Sequence, residues 1–201
     1  MINYENIRKI DGWCTDDKIE KMINLIISTK PTNVVEIGVY HGKSLVCQAL
    51  ALKENRYGKI CAIDPWNKKD AIEFVKEERQ LKWWDEQDLN SVYESFLKSI
   101  KQNEVENYIT IYKSKSSDCV DMIDKIDILH IDGNHEEESS YRDVELYVPK
   151  VKKGGYIWFD DANWYQTQKA LNLIESEFNC KLVDKAKSDD PNNFCNLYIK
   201  E

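Results

Sequence analysis

The sequence predicts an α/β fold, a mostly parallel sheet with helices on both faces. Three observations predict it. Short β-branched runs alternate with helical patterns from about residue 34 to about residue 178. Acidic residues recur just beyond the ends of these runs. The 201 residues include 42% hydrophobic ones, enough for a sizeable core, and only 7 Gly and 4 Pro, too few for a loop-rich chain.

The elements follow in order. Asp16 to Thr29 reads as a helix, with Thr15 as N-cap and Asp16 and Asp17 at its positive end. Val34 to Ile37 reads as the first strand and Lys43 to Lys53 as a helix with apolar residues at helical spacing. Lys59 to Ile63, Tyr108 to Tyr112, Ile126 to Ile131 and Tyr156 to Phe159 read as four more strands. Helices are expected over Glu136–Tyr147 and Trp164–Phe178. This alternation builds βαβ units. Cys180–Val183 and Phe194–Ile199 flank a polar turn, Lys185–Asn193, with Asp189-Asp190-Pro191 inside it, and read as an antiparallel pair at the sheet's end.

One segment exceeds this pattern. Residues 65–107 hold Trp66, Phe74, Trp83, Trp84, Tyr93 and Phe96 between the second and third strands. Such an aromatic insertion beside a strand end fits a substrate cover, or a helix pair whose aromatics enter the core. The whole of residues 1–201 is expected to be one domain with this elaboration.

Charge and composition exclude several classes. With 28 basic and 36 acidic residues the net charge is −8, which disfavours general nucleic-acid binding. No apolar run is long enough to span a membrane, and Met1 to Ile10 lacks an apolar signal core. A cytoplasmic protein is expected. The six cysteines form no CxxC pair and have no histidine at zinc-finger spacing, so reduced thiols are expected.

Ligands of open parallel sheets bind beyond the carboxyl ends of the strands. After the first strand runs Glu36-Ile37-Gly38-Val39-Tyr40-His41-Gly42-Lys43-Ser44, a glycine turn opening a helix. Gly38 and Gly42 would let the backbone approach a ligand. A phosphate-binding P-loop needs four residues between its first Gly and Gly-Lys-Ser, and Gly38 leaves three. A nucleoside is the better ligand: Asp64, ending the second strand, can accept both ribose hydroxyl protons. A loop without the GxGxxG spacing suits S-adenosylmethionine (SAM), which carries an amino acid in place of phosphates.

Asp132, after the fourth strand, and Asp160 and Asp161, after the fifth, would meet at neighbouring strand ends. Three carboxylates together need a cation or proton uptake to relieve repulsion. Oxygen ligands favour Mg²⁺, Mn²⁺ or Ca²⁺. His135, three residues past Asp132, could take the proton of a metal-bound hydroxyl. His41 and His130 are weaker candidates, and His130 is expected to face inward.

These residues resemble a known family. The segment Glu36 to Ser44 is similar to the first motif of class I SAM-dependent methyltransferases, in the E-x-G-x-Y-x-G-x-S form of catechol O-methyltransferase. Asp132-Gly133-Asn134-His135 and Gly154 to Asp161 resemble the metal-binding motifs of cation-dependent O-methyltransferases. Gly12-Trp13 and Ile63-Asp64-Pro65-Trp66 look most like a bacterial and viral subgroup that includes macrolide-sugar and rhamnosyl O-methyltransferases. The likeness covers roughly residues 10–200.

The resemblance implies a Rossmann-like methyltransferase with a seven-stranded, mostly parallel sheet and an antiparallel end strand. It implies that Glu36, Gly38, Tyr40, Gly42, Ser44, Asp64, Trp66, Ser116 and Asp132 bind SAM. Within this set Asp64 lies at the ribose and Ser116 at the adenine. Asp132, Asp160 and Asp161 would hold the divalent cation, and His135 would be the base. The chain departs from the pattern at Asn134, where other sugar enzymes place an acidic base, and at Asp161, where the catechol enzymes carry Asn. The expected acceptor is a sugar hydroxyl on a small molecule or glycan. A catechol-like phenol, or a non-catalytic SAM- or nucleotide-binding module of a larger glycan-building protein, are the alternatives, and a homodimer is left open.

Overall fold

A computed structural model describes residues 2–188 and 193–201. A short helix, α1 (Tyr4–Arg8), precedes α2 (Asp16–Thr29). Thr15 caps α2 as expected, its hydroxyl accepting from the Lys18 amide at 3.2 Å. Then come β1 (Asn33–Ile37), α3 (Lys43–Asn55) and β2 (Lys59–Ile63). The long segment folds as α4 (Lys68–Ala71), α5 (Glu78–Asp85) and α6 (Leu89–Gln102) before β3 (Ile109–Tyr112). The chain continues through α7 (Ser116–Cys119), β4 (Ile126–Ile131), α8 (Glu137–Tyr147) and β5 (Val151–Phe159). It ends with α9 (Gln168–Ser176), β6 (Cys180–Lys187) and β7 (Phe194–Lys200).

The strands form a seven-stranded sheet in the order β3-β2-β1-β4-β5-β7-β6. All run parallel except β7, the last in the chain, which pairs antiparallel with both β5 and β6. Strand order reverses at β1 and β4. There Ile37 lies in register with Ile63 on one side and Ile131 on the other, so three strands end at one level. This is the switch point where open sheets leave a crevice.

Several expected boundaries move, and β5 begins at Val151 rather than Tyr156. β6 extends through Lys187 because Lys185 to Lys187 pair with Asn196 to Phe194, so only part of the expected polar turn is a turn. Its Asp189-Asp190-Pro191 lies outside the described residues. Helix α9 starts at Gln168, not Trp164, because Thr167 Oγ1 donates to the carbonyls of Asp161 and Trp164 and holds that stretch as a turn.

Buried residues form one cluster on each sheet face. Ile19, Met22, Leu45, Leu52 and Phe96 lie on one face, and Leu129, Ile157, Val144, Tyr147 and Ile174 on the other. Each fully buried aliphatic contributes about 1.5–3 kcal/mol. The insertion divides between the core and the cavity. Helix α6 buries Val92, Phe96 and Ile100, and Phe96 stacks on Trp66 at 5.2 Å. Helix α5 buries none of its residues and lies over the crevice. All six cysteines are free thiols, and only Cys61 is less than buried. Among the described residues, no helix is long and apolar enough to cross a membrane.

Candidate active site

A cavity of about 950 Å³ opens at the switch point. The β1–α3 loop, the ends of β2, β4 and β5, and the 70–89 insertion line it. Its volume is that of a small-molecule site.

The glycine loop is shaped by protein neighbours. Gly38 has φ +82°, and a Cβ there would fall 2.0 Å from the Asp132 carbonyl oxygen. Only glycine lets β1 and β4 turn so close together, and Gly38 lines the cavity. Gly42 departs from the expectation. It does not line the cavity, and a Cβ there would meet the Phe96 ring at 2.5 Å. Its role is to start α3 against the insertion.

Glu36 also departs from it. The side chain is wholly buried, accepts from Ser44 Oγ at 2.7 Å and Gln48 Nε2 at 2.6 Å, and lies 3.2 Å from His130 Nδ1. It braces α3 from below the cavity, because residue 36 points to the α3 face of the sheet. Ser44 lines the cavity, its hydroxyl turned to Glu36. His130 is wholly buried and inward, as expected.

Asp64 ties two loops together. Its Oδ2 accepts from the amides of Val39 at 2.9 Å and Tyr40 at 3.0 Å, and its Oδ1 from Trp66 at 2.7 Å. Burial pushes its carboxyl up, and these amides oppose that. A ribose would share oxygens that already carry three bonds. Tyr40 and Trp66 hold left-handed backbone, φ +53° and +42°, and Asp64 pins both. Such conformations persist where neighbours over-determine them. Trp66 is 2% exposed and donates its indole N–H to the Tyr40 carbonyl, so it supports the loop from beneath.

The carboxylates do meet at the ends of β4 and β5, around an unforeseen partner. The buried Lys18 ammonium lies 3.2 Å from Asp132 Oδ2 and contacts Asp160 Oδ2. Burial and Asp160 push the Asp132 carboxyl well up. Against its own burial, Asp160 is held well below the usual range by Lys18. Lys18 Nζ donates to both carboxylates and so bridges them. Asp161 accepts from Asn193 Nδ2 through Oδ1, and its Oδ2 lies 3.1 Å from His135 Nε2.

This arrangement does not fit the expected cation. Lys18 already holds Asp132 and Asp160, and Asp161 accepts from Asn193 through Oδ1 while its Oδ2 faces His135 Nε2. Among the described residues, the His, Cys and acidic ligand atoms grouped closely enough to share an ion belong to His130, Asp160 and Cys195, not to the three aspartates. Burial pushes the Cys195 thiol well up, away from the thiolate that binds metal.

His135 lies at the cavity with its ring 5.3 Å from Trp164. Ser116 lines another part of the cavity, its hydroxyl donating to Asp143 Oδ1. Burial pushes Asp143 up to about 6. The insertion is fastened over these groups. Asn134 Nδ2 donates to the Ala71 and Glu73 carbonyls, Tyr40 Oη to Gln87 Oε1, and Lys115 pairs with Glu73 at 3.0 Å. Trp13 stacks on Tyr40 at 5.5 Å and meets Trp83 at 5.6 Å, forming an aromatic rim.

Sequence reasoning missed Lys18, Asp143 and Asn193. Two of them carried a signal. Lys18 stands one turn before Met22 on the buried stripe of α2, and Asp143 stands between Ser140 and Tyr147 on that of α8. A charge in an apolar stripe needs a buried partner. Asn193 follows a polar turn and carried none.

The fold and site define a Rossmann-like methyltransferase architecture, with a parallel sheet, a glycine loop at the switch point and acidic strand ends. Residues 35–162 match the family described as "Methyltransferase domain", and the chain belongs to it. It is 28% identical over 146 residues to the flavonoid 3',5'-methyltransferase of Vitis vinifera, covering 72% of this chain and 52% of that one. It is 45% identical over 56 residues to an uncharacterized protein of Acanthamoeba polyphaga mimivirus, covering 26% of this chain and 25% of that one. The chain thus spans less than two thirds of either relative. The O-methyltransferase of Bacillus cereus in complex with SAH has the same fold, at a TM-score of 0.66 and 13% identity, covering 98% of this chain and 86% of that one.

Proposed function

We propose that this chain is a SAM-dependent O-methyltransferase acting on a sugar hydroxyl of a small molecule or glycan. One observation carries it: a single cavity joins the β1–α3 glycine loop to the His135–Asp161 pair. SAM, when bound, supplies an electrophilic methyl group on its sulfonium.

The chain's own groups would do the rest. Gly38, Tyr40 and Ser44 present the loop, with α3 starting behind it, and Asp64 holds that loop in shape. Ser116 and Asp143 offer polar atoms for a base edge. His135 takes the acceptor's hydroxyl proton, and the Asp161 carboxylate flanks its ring, Oδ2 lying 3.1 Å from Nε2. The S–CH₃ bond breaks as the O–CH₃ bond forms, leaving S-adenosylhomocysteine (SAH) and protonated His135. The α4–α5 cover keeps water away and holds the partners in line.

The rim supports the sugar reading. Trp13 is 63% exposed and Trp164 38% exposed, offering flat apolar faces for sugar rings. This agrees with the subgroup that Gly12-Trp13 and Asp64-Pro65-Trp66 resemble. The expected divalent cation has no step here, because Lys18 holds the carboxylates meant for it.

Calorimetric titration with SAH, followed by transfer of labelled methyl from SAM to panels of glycosides and catechols, tests the proposal. Micromolar SAH binding and label on a glycoside support it. Label on catechols alone replaces the acceptor class, and absence of SAH binding overturns the enzyme reading.

A further inference from the structure

We infer that Lys18 replaces the divalent cation at this site, so that the carboxylates beyond β4 and β5 are balanced from within and turnover is independent of metal. The charge balance holds whatever the cavity binds. Its consequence for turnover rests on the methyltransferase reading.

The Lys18 side chain is 2% exposed, yet its ammonium reaches the Oδ2 atoms of both Asp132 and Asp160. It comes from α2, whose other buried residues are Ile19, Met22, Ile23 and Ile26. A long, charged side chain would not leave water for that face without a fixed anionic partner. Lys18 is therefore the cation that meets this carboxylate pair within the fold. The Asp161 carboxyl and the Cys14, Cys47 and Cys195 thiols also lie within electrostatic reach of the ammonium.

A divalent cation on the same carboxylates would sit about 2.0–2.6 Å from their oxygens. Lys18 is in hydrogen-bond contact with both Oδ2 atoms, so an ion bound to these two atoms and the ammonium would have to share one space. Asp161, the third expected ligand, is held by Asn193 and His135. His130 Nε2 lies 3.7 Å from Asp132 Oδ2 and adds no anion. Lys18 does not line the cavity, so it is a positioning residue. It sets Asp132 and Asp160 at the strand ends, while His135 and Asp161 handle the proton.

The test is Mn²⁺ titration of the full chain, freed of metal on a chelating resin and followed by electron paramagnetic resonance. The native chain is expected to leave Mn²⁺ free at millimolar concentration, and its turnover to be equal in EDTA and in Mg²⁺. Lys18→Met removes the ammonium and keeps the stem's bulk. That variant is expected to bind Mn²⁺, to lose turnover in EDTA and to regain it with Mg²⁺. A structural lysine would give no such rescue.

Stoichiometric Mn²⁺ uptake by the native chain, abolished by Asp160→Asn, overturns the inference. So does turnover lost in EDTA and restored by Mg²⁺, or a folded Lys18→Met chain that Mg²⁺ does not rescue. If Lys18→Met does not fold, the native titration decides alone. SAH titration runs beside it, and its failure overturns the proposed function while leaving the Mn²⁺ result standing.

Discussion

His135 Nε2 lies 3.1 Å from Asp161 Oδ2, at the mouth of the crevice between β4 and β5. The Asp161 backbone is left-handed, φ +48°, and Thr167 Oγ1 donates to its carbonyl at 2.9 Å. The chain therefore spends backbone strain to present this carboxylate to the imidazole.

If this pair moves the acceptor proton, His135→Ala should lower kcat by about 10²–10⁴. SAH affinity should stay within about twofold, because His135 acts on the acceptor. Asp161→Asn should cost less, since the ring keeps a neighbour and loses only its charge. Steady-state kinetics beside SAH titration measure both. An unchanged kcat in His135→Ala rejects the base assignment.

Asp143 makes stability depend on pH. Its carboxyl is 5% exposed and is pushed by burial from 3.8 to about 6. A raised folded pKa means the folded chain holds the proton more tightly than the unfolded one. This contribution is full below pH 4 and is lost as pH rises through about 6. It corresponds to about 3 kcal/mol. Asp143→Asn should therefore raise Tm by several degrees at pH 8, at about 2–4 °C per kcal/mol, and change it little at pH 4. Melting curves across that range check the sign.

Two glycines of similar φ separate backbone strain from crowding. Gly38 and Gly154 have φ +82° and +78°. A Cβ at Gly38 would meet Asp132 backbone at 2.0 Å, whereas at Gly154 it would meet nothing within 4 Å. Gly154→Ala should cost about 1–2 kcal/mol, for left-handed backbone alone. Gly38→Ala should cost on the order of 3 kcal/mol or more, since two strand ends must part. Denaturant melts of both variants show whether the difference appears.

The aromatic rim should act on the acceptor more than on SAM. Trp13 stacks on Tyr40 and meets Trp83 while leaving most of its own surface open. Trp13→Ala should raise acceptor KM by about tenfold, the value of one well-placed aromatic contact. SAH affinity should change far less. Equal losses in both would place Trp13 in the cofactor site.

Much of this was legible in the residues. Alternating β-branched and helical runs marked β1 to β5, because each burial pattern is local and repeats at its own period. Glycines and acidic residues marked the strand ends, and the sheet topology brought Asp132, Asp160, Asp161 and His135 together as read. Boundaries shifted where a partner strand decided them, as at Lys185–Lys187. Roles shifted where packing decided them. Gly42 answers to Phe96, and Glu36 answers to Ser44 and Gln48.

The sequence by itself determined the sheet, its crevice and the presence there of Asp64, Asp132, Asp160, Asp161 and His135. Which cation balances those carboxylates was decided only in three dimensions. Lys18 lies 114 residues from Asp132 and 142 from Asp160. No local period links such positions. The pairing exists because burial forces a charge on α2 to find the nearest anion, and the fold puts that anion at the ends of β4 and β5.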